Sequence, residues 1–410
     1  MKKLCAGIAT LALGMGLPAC AGQDHSHQDA PTLTDESQHH HGTPNTPAIK
    51  ESGQDDEVDD GAAMATLDDK SDQPVQATLR RIASYSSGLR IPTALDFNPR
   101  KNGELWVVNY GDDSMVIIHN ATSTGRKSVE HRKDGYALHF MPAPTSISFG
   151  ADETSFGLPG TFATCGESRN TYENMAAPND FMGPTLWSSD LDIFANENPY
   201  GLGSHIDMLH ETPLCMGIVH EKKNVYWAIG GLTPAVYRYD FQVDHNIGED
   251  DHSDGTVAEY VAGQVSTVEQ VPSHLVIDSD GSLYIADTGN SRIAKLDTKS
   301  GKRGSRLSTP EPLQDAYRVT GATLSTVVSS SSGLLKSPSG LVLHDDLLWV
   351  TDAETSQIAA FTKSGTRKLY INTGLPKWAL SGLAFGPDGK LYIVDRIGNR
   401  ILRVEMTLPL

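Results

Sequence analysis

One short grammar recurs along most of this 410-residue chain: an apolar strand, a tight Asp-Gly or Asn-Gly turn, a second apolar strand, another turn, and a third strand. The clearest copy, PSHLVIDSDGSLYIADTGNSRIAKLDTKSG, runs from Pro272 to Gly301. It predicts an inner strand at His274–Asp278, a strand at Ser282–Asp287 after the Asp280-Gly281 turn, and a third at Ser291–Asp297, with Lys302–Leu307 as the fourth. The pattern returns at Pro338–Gly365 and Leu380–Glu405, and earlier from Pro92 and, more degraded, from Cys215. A further unit opens at Pro144 and is then interrupted, which makes six. One four-stranded sheet leaves two edges open and buries too little apolar surface, so such units must stack on one another.

Ile285–Ile293 (IADTGNSRI) and Ile393–Ile401 (IVDRIGNRI), each preceded by a strand with a small residue, resemble NHL repeats. The resemblance implies an all-β fold, a six-bladed β-propeller, over residues 79–410. Closing a ring buries each blade face against a neighbour, which supports the same architecture on physical grounds. The last copy ends after three strands close to Leu410, and Thr78–Tyr85 (TLRRIASY) supplies the strand that would close the ring.

Ahead of the repeats lies an export signal. Two lysines precede an uncharged, mostly apolar stretch from Leu4 to Ala19, too short for the ~20 residues that span a bilayer. Leu17-Pro18-Ala19-Cys20 resembles a bacterial lipoprotein box, which implies cleavage after residue 19 and lipidation of Cys20. Ala21 after the cysteine points to the outer membrane, hence a lipid-anchored protein of the cell envelope, periplasmic or at the surface.

Residues 20–78 read as a disordered tether. From 21 to 78 thirteen Asp and Glu face two lysines, Lys50 and Lys70, with no Tyr or Trp, so little apolar surface is available to offset ordering entropy. This stretch carries much of the chain's formal charge of −18, and acidity of that size argues against a nucleic-acid partner. It also holds His25, His27, His39, His40 and His41, which suit weak capture of zinc, copper or nickel as well as a solvated spacer.

The repeats average more residues than ~40–50 per blade, and the surplus lies in residues 150–212, 240–270 and 302–336. Long insertions on a rigid ring are where function usually sits. Once Cys5 leaves with the signal and Cys20 takes lipid, Cys165 and Cys215 remain. An oxidising compartment favours a disulfide between them; thiol ligation of a soft metal is the alternative.

His139, His205, His210 and His274 fall at three consecutive blade entries and are candidates for zinc or copper at the mouth of the central channel. Three imidazoles with an open position make a catalytic zinc site, where bound water is acidified. Val271-Pro272-Ser273-His274-Leu275 is similar to an inner strand of the peptidyl-hydroxyglycine amidating lyase propeller, with the histidine displaced by one place. Asp244, Asp250, Asp251 and Asp254, in a loop closed by Gly255, are candidate oxygen ligands for calcium, or else a solvated acidic turn. No Walker loop, GxSxG, HExxH or CxxC occurs.

Three functions follow. The first is a binding platform for a protein, peptide or glycan, carrying a metal at the channel mouth. The second is a metal-dependent lyase or hydrolase using His205, His210 and His274, and the third a periplasmic metal-handling protein. Replacing Cys20 with Ala should release the protein from membranes in soluble form on fractionation; continued retention would contradict lipid anchoring.

Overall fold

The computed structural model describes residues 74–152, 160–169, 178–196 and 201–406. The leader, Cys20 and the tether histidines lie outside them. Among the described residues no helix is long and apolar enough to cross a membrane.

Six sheets, antiparallel but for one parallel pairing in the third, form the six blades of a β-propeller. From the innermost strand outward, blade 1 is Pro92–Phe97, Leu105–Asn109, Ser114–His119 and Ser128–Arg132. Blade 2 is Pro144–Phe149, Thr161–Gly166, Thr185–Ser188 and His205–Met208. Blade 3 begins with Cys215–Lys222, Val225–Gly230, Ala235–Asp240 and Thr256–Tyr260. Blade 4 is Leu275–Ile277, Ser282–Asp287, Arg292–Asp297 and Leu324–Val328. Blade 5 is Pro338–His344, Leu347–Asp352, Gln357–Thr362 and Arg367–Asn372. Blade 6 is Leu380–Phe385, Leu391–Asp395 and Arg400–Met406, completed by the N-terminal strand Ala77–Ala83. That last pair runs antiparallel from Ala77↔Met406 to Ala83↔Ile401, so the ring closes with one strand from each end of the chain. The closing strand starts two residues before the expected boundary at 79.

Each sheet packs both faces on its neighbours, which is why the second strands read as unbroken apolar runs such as LWVV and LYIV. One hydrophobic cluster fills each junction. Trp106 and Ile117 of blade 1 meet Phe149, Phe162 and Trp187 of blade 2. Tyr392, Val394 and Ile401 of blade 6 meet Leu95, Val107 and Val116 of blade 1.

The turn chemistry follows from one buried carboxylate. Asp287, at the end of a second strand, accepts from Arg292 Nε at 2.6 Å, from Asn290 Nδ2 at 3.0 Å, and from the Ser266 amide of the preceding blade's exit at 2.8 Å. Asp395 does the same with Arg400 Nε at 2.8 Å and the Gly398 amide at 2.9 Å. In blade 4 the Asp, Asn and Arg of the repeat motif are thus one hydrogen-bonded unit that fixes the turn and stitches blade to blade, while in blade 6 Asn399 turns to the Ile91 amide instead.

Two local features depart from the repeat. Lys302–Arg306 is a strand but not the fourth of blade 4: with Asp315–Thr320 it forms a hairpin that reaches back and adds to blade 3 parallel to Thr256–Tyr260, giving that blade six strands. Period-two patterning identifies a strand, not its partner. Cys165 and Cys215 are joined by a disulfide with Cα atoms 5.6 Å apart, tying the second strand of blade 2 to the first of blade 3.

The innermost strands crowd the channel. A Cβ at Gly217 would stand 2.1 Å from the Ser273 carbonyl oxygen of the next blade. Gly217→Ala should therefore cost about 1–3 kcal/mol in denaturant unfolding, while Gly135→Ala, which meets nothing within 4 Å, should change stability by less than about 0.5 kcal/mol. Equal effects would contradict this packing.

Candidate metal centre between blades 2 and 3

The three long insertions meet at one place. The first brings the outermost strand of blade 2 with His205 and Asp207, followed by His210. The second, between Ala235–Asp240 and Thr256–Tyr260, brings Asp244, His245, His252 and Asp254. The third is the strap hairpin, whose turn region carries Glu311. Backbone bonds dock the second onto the first: the His245 amide donates to the Ile206 carbonyl at 3.0 Å and the Gly248 amide to that of His205 at 2.8 Å.

His205, His245 and His252 each present a ring nitrogen within 4.8 Å of the other two, the one group of this kind among the described residues. His205 is fully buried and His245 is 7% exposed. The His205 Nδ1 stands 2.8 Å from the Leu202 carbonyl and the His245 Nδ1 2.6 Å from that of Asn246. The His252 Nδ1 stands 3.0 Å from the Asp207 carboxylate, which also accepts the Met208 amide at 2.7 Å. The His205 and His245 rings are each held through Nδ1 by a carbonyl, the outer-shell arrangement that orients a metal-ligating imidazole, and the His252 Nδ1 lies between Asp207 and the Met208 amide, which approaches it at 3.3 Å. In His205 and His245 that leaves Nε2 as a lone pair, buried without any partner.

His210 is built the same way. Its Nδ1 lies 2.8 Å from Glu311 Oε2, its amide donates to Oε1 at 2.8 Å, and its Nε2 has no partner. Its ring stacks on Phe181 at 3.6 Å and lies 5.6 Å from the rings of His252 and His139. The Phe140 ring covers His205 at 3.6 Å.

Burial keeps all of these imidazoles neutral. It lowers His205 to about 2, with His245 adding to the effect, and His139 to about 4. His210, His245 and His252 are lowered as well, burial first in each. For His210 burial outweighs the pull of Glu311, so their contact is a neutral N–H bonding a carboxylate rather than an ion pair. Asp207 goes the other way, pushed well up by burial and then by Asp254, Glu311 and Asp244. Glu211 rises to about 8 through burial and Glu311. The pocket thus gathers carboxyl groups and neutral imidazoles.

Of the residues singled out in the sequence, His139, His205 and His210 come together, but not at the channel mouth. The 150–212 insertion supplies the two outer strands of blade 2, so the stretch before Pro213 runs along the rim of the blade rather than along the channel. His274 is elsewhere. It lies among the innermost strands, its Nε2 3.1 Å from the Thr145 carbonyl, and a Cβ on Gly382 would meet its ring at 3.2 Å.

Of the four candidate calcium ligands, Asp244, Asp251 and Asp254 line one cavity together with Glu249, and Asp250 is not part of its lining. Asp250 and Asp251 are exposed, and Asp251 accepts from the amide and hydroxyl of Ser253. Asp244 is buried, accepting from Asn224 Nδ2 at 3.2 Å, and Asp254 accepts the Val243 amide at 3.1 Å. His245 and His252 were missed because their loop was read for its carboxylates; the signal was two histidines within one long insertion.

Residues 270–296 match the NHL repeat, and this is the best-preserved stretch of the propeller. The chain is a six-bladed β-propeller containing an NHL repeat. No curated protein matches it in sequence. Among solved structures it is similar to a calcium-binding protein, regucalcin, from Agrobacterium tumefaciens, at 16% identity over 80% of this chain and 95% of that one, TM-score 0.48. It is similar to an auxiliary nutrient binding protein from Bacteroides thetaiotaomicron at 13% identity, covering 76% and 68% of the two chains, TM-score 0.44. It is also similar to a catalytically inactive virginiamycin B lyase from Staphylococcus aureus at 12% identity, covering 80% and 88%, TM-score 0.44.

His274 yields a pH prediction. Burial lowers it from 6.5 to about 4, so the unfolded chain takes up a proton that the folded one refuses. Its contribution is intact above pH 6.5 and is lost as pH falls toward 4, by ~3 kcal/mol if the whole shift counts. His274→Gln should flatten that part of the stability–pH curve; an unchanged slope would contradict a buried neutral imidazole.

Proposed function

We propose that this chain is a lipid-anchored envelope protein whose propeller binds a transition metal, zinc or copper, between blades 2 and 3 and uses the metal-clasped face as a binding platform. The observation that carries the reading is the trio His205, His245 and His252, with ring nitrogens within 4.8 Å and two Nε2 lone pairs buried without partners. Neutral imidazoles suit zinc and copper, and three of them leave a coordination position for water or a ligand atom. A cavity of about 280 Å³, lined by Val243, Asp244, His245, Asn246, Glu249, Asp251 and Asp254, reaches the trio at His245 and gives that position an approach.

The metal would join the outermost strand of blade 2 to the long loop of blade 3, holding an acidic, exposed segment in one conformation. A protein, peptide or glycan that recognises this segment would then bind in a metal-dependent way. The Cys20 lipid box and the acidic, histidine-bearing segment before the propeller support a place on the envelope and a supply of weakly held metal. A hydrolytic role draws on the same open position, with Asp254 at the cavity wall.

Elemental analysis tests this directly. With the five tether histidines replaced by Ala, the full chain should retain about one zinc or copper per molecule. His245→Ala and His252→Ala should lose it, Asp207→Asn should weaken affinity by roughly 10–100-fold, and His274→Ala should keep it. Metal unchanged in His245→Ala, or absent from the tether variant, would overturn the proposal.

A further inference from the structure

At the channel mouth the unsatisfied groups are of the opposite kind. Arg396 follows the second strand of blade 6, and its amide is anchored on the Ala379 carbonyl at 2.8 Å. Its guanidinium crosses toward blade 4, where Nη1 donates to the Gln270 carbonyl, and it lies 5.9 Å from the centre of the Tyr110 ring of blade 1. Glu167, at the end of the second strand of blade 2, takes the Gln270 amide on both oxygens at 2.8 and 3.0 Å and bonds the Tyr110 hydroxyl. Blades 1, 2, 4 and 6 therefore converge on one polar pocket over the channel.

Arg396 is only 3% exposed, yet its Nε and Nη2 have no partner, and among the described residues no carboxylate pairs with it. Three residues on, Asn399 is 1% exposed; its Oδ1 takes the Ile91 amide at 2.6 Å and its Nδ2 has no partner. A buried cation with an empty donor edge is expensive, and water compensates poorly for a full charge. The Nε–Nη2 edge holds two parallel N–H groups whose spacing matches the two oxygens of a carboxylate.

We propose that the channel mouth is a binding site for a small monocarboxylate, held by Nε and Nη2 of Arg396. Charge selects a monoanion. Glu167 shares the pocket with both oxygens turned to the Gln270 amide, so a second negative charge on the ligand would meet an acidic side chain rather than a second cation. Tyr110 and Glu167 flank the position where the ligand's remaining atoms would lie. None of the metal-site residues takes part, so this site stands or falls independently of the metal.

Calorimetric titration of the full-length chain at pH 7 and constant ionic strength, with acetate and with inorganic phosphate, reads the affinity. Saturable acetate binding at one site is expected, weakened about tenfold or more in Arg396→Gln and unchanged in Arg303→Gln, which alters a surface arginine. Wild-type crystals soaked in acetate provide a readout independent of variant folding, with planar carboxylate density expected on Nε and Nη2 of Arg396. Absence of saturable binding, tighter binding of phosphate than of acetate, unchanged affinity in a folded Arg396→Gln, or water alone at Nε and Nη2 would each overturn the proposal.

Discussion

Both faces of every blade are covered by its neighbours, and the rest of the molecule depends on that reciprocity. No sheet could be stable alone, because its second strand is buried on both sides. The ring therefore has to close, and it closes by pairing Ala77–Ala83 with Arg400–Met406. Rigidity comes with closure. Insertions then cannot perturb the frame; they can only project from its rim and mouths, and whatever they bring together is held in register by blades that cannot shift.

Polar groups left unsatisfied by this frame separate by sign. Between blades 2 and 3 the orphans are lone pairs: Nε2 of His205, His210 and His245, and carboxylate oxygens of Asp207 and Asp254. At the channel mouth they are donors: Nε and Nη2 of Arg396 and Nδ2 of Asn399. Burial makes an unpaired group of either kind costly. The two sites call for opposite partners, a cation and an anion, and they share no residue. The Cys165–Cys215 bridge joins the same two blades that the histidines join, so the proposed metal would add a second fastening to that junction.

Much of the ring was legible in sequence because its determinants are local. The Ser282–Asp287 strand and the Thr288–Asn290 turn stand where the motif places them, since Asp287, Asn290 and Arg292 bond one another within six residues. Partnership across long separations was not legible. Lys302–Arg306 reads as a strand in either blade, and only the fold reveals that it extends blade 3. The histidine cluster has the same character. His205 was recognised, but the partners that define its role, His245 and His252, arrive from a different insertion, and Glu311 from a third. The insertions themselves were visible as surplus length; their convergence was not.

X-ray absorption at the zinc edge probes the central claim most directly, using the full chain with its five tether histidines replaced and one equivalent of zinc added. Three imidazole nitrogens at ~2.0–2.1 Å with one further light ligand are predicted, and the imidazole signal should fall away in His252→Ala. A shell made only of oxygen, or a spectrum that His252→Ala leaves unchanged, would contradict the account.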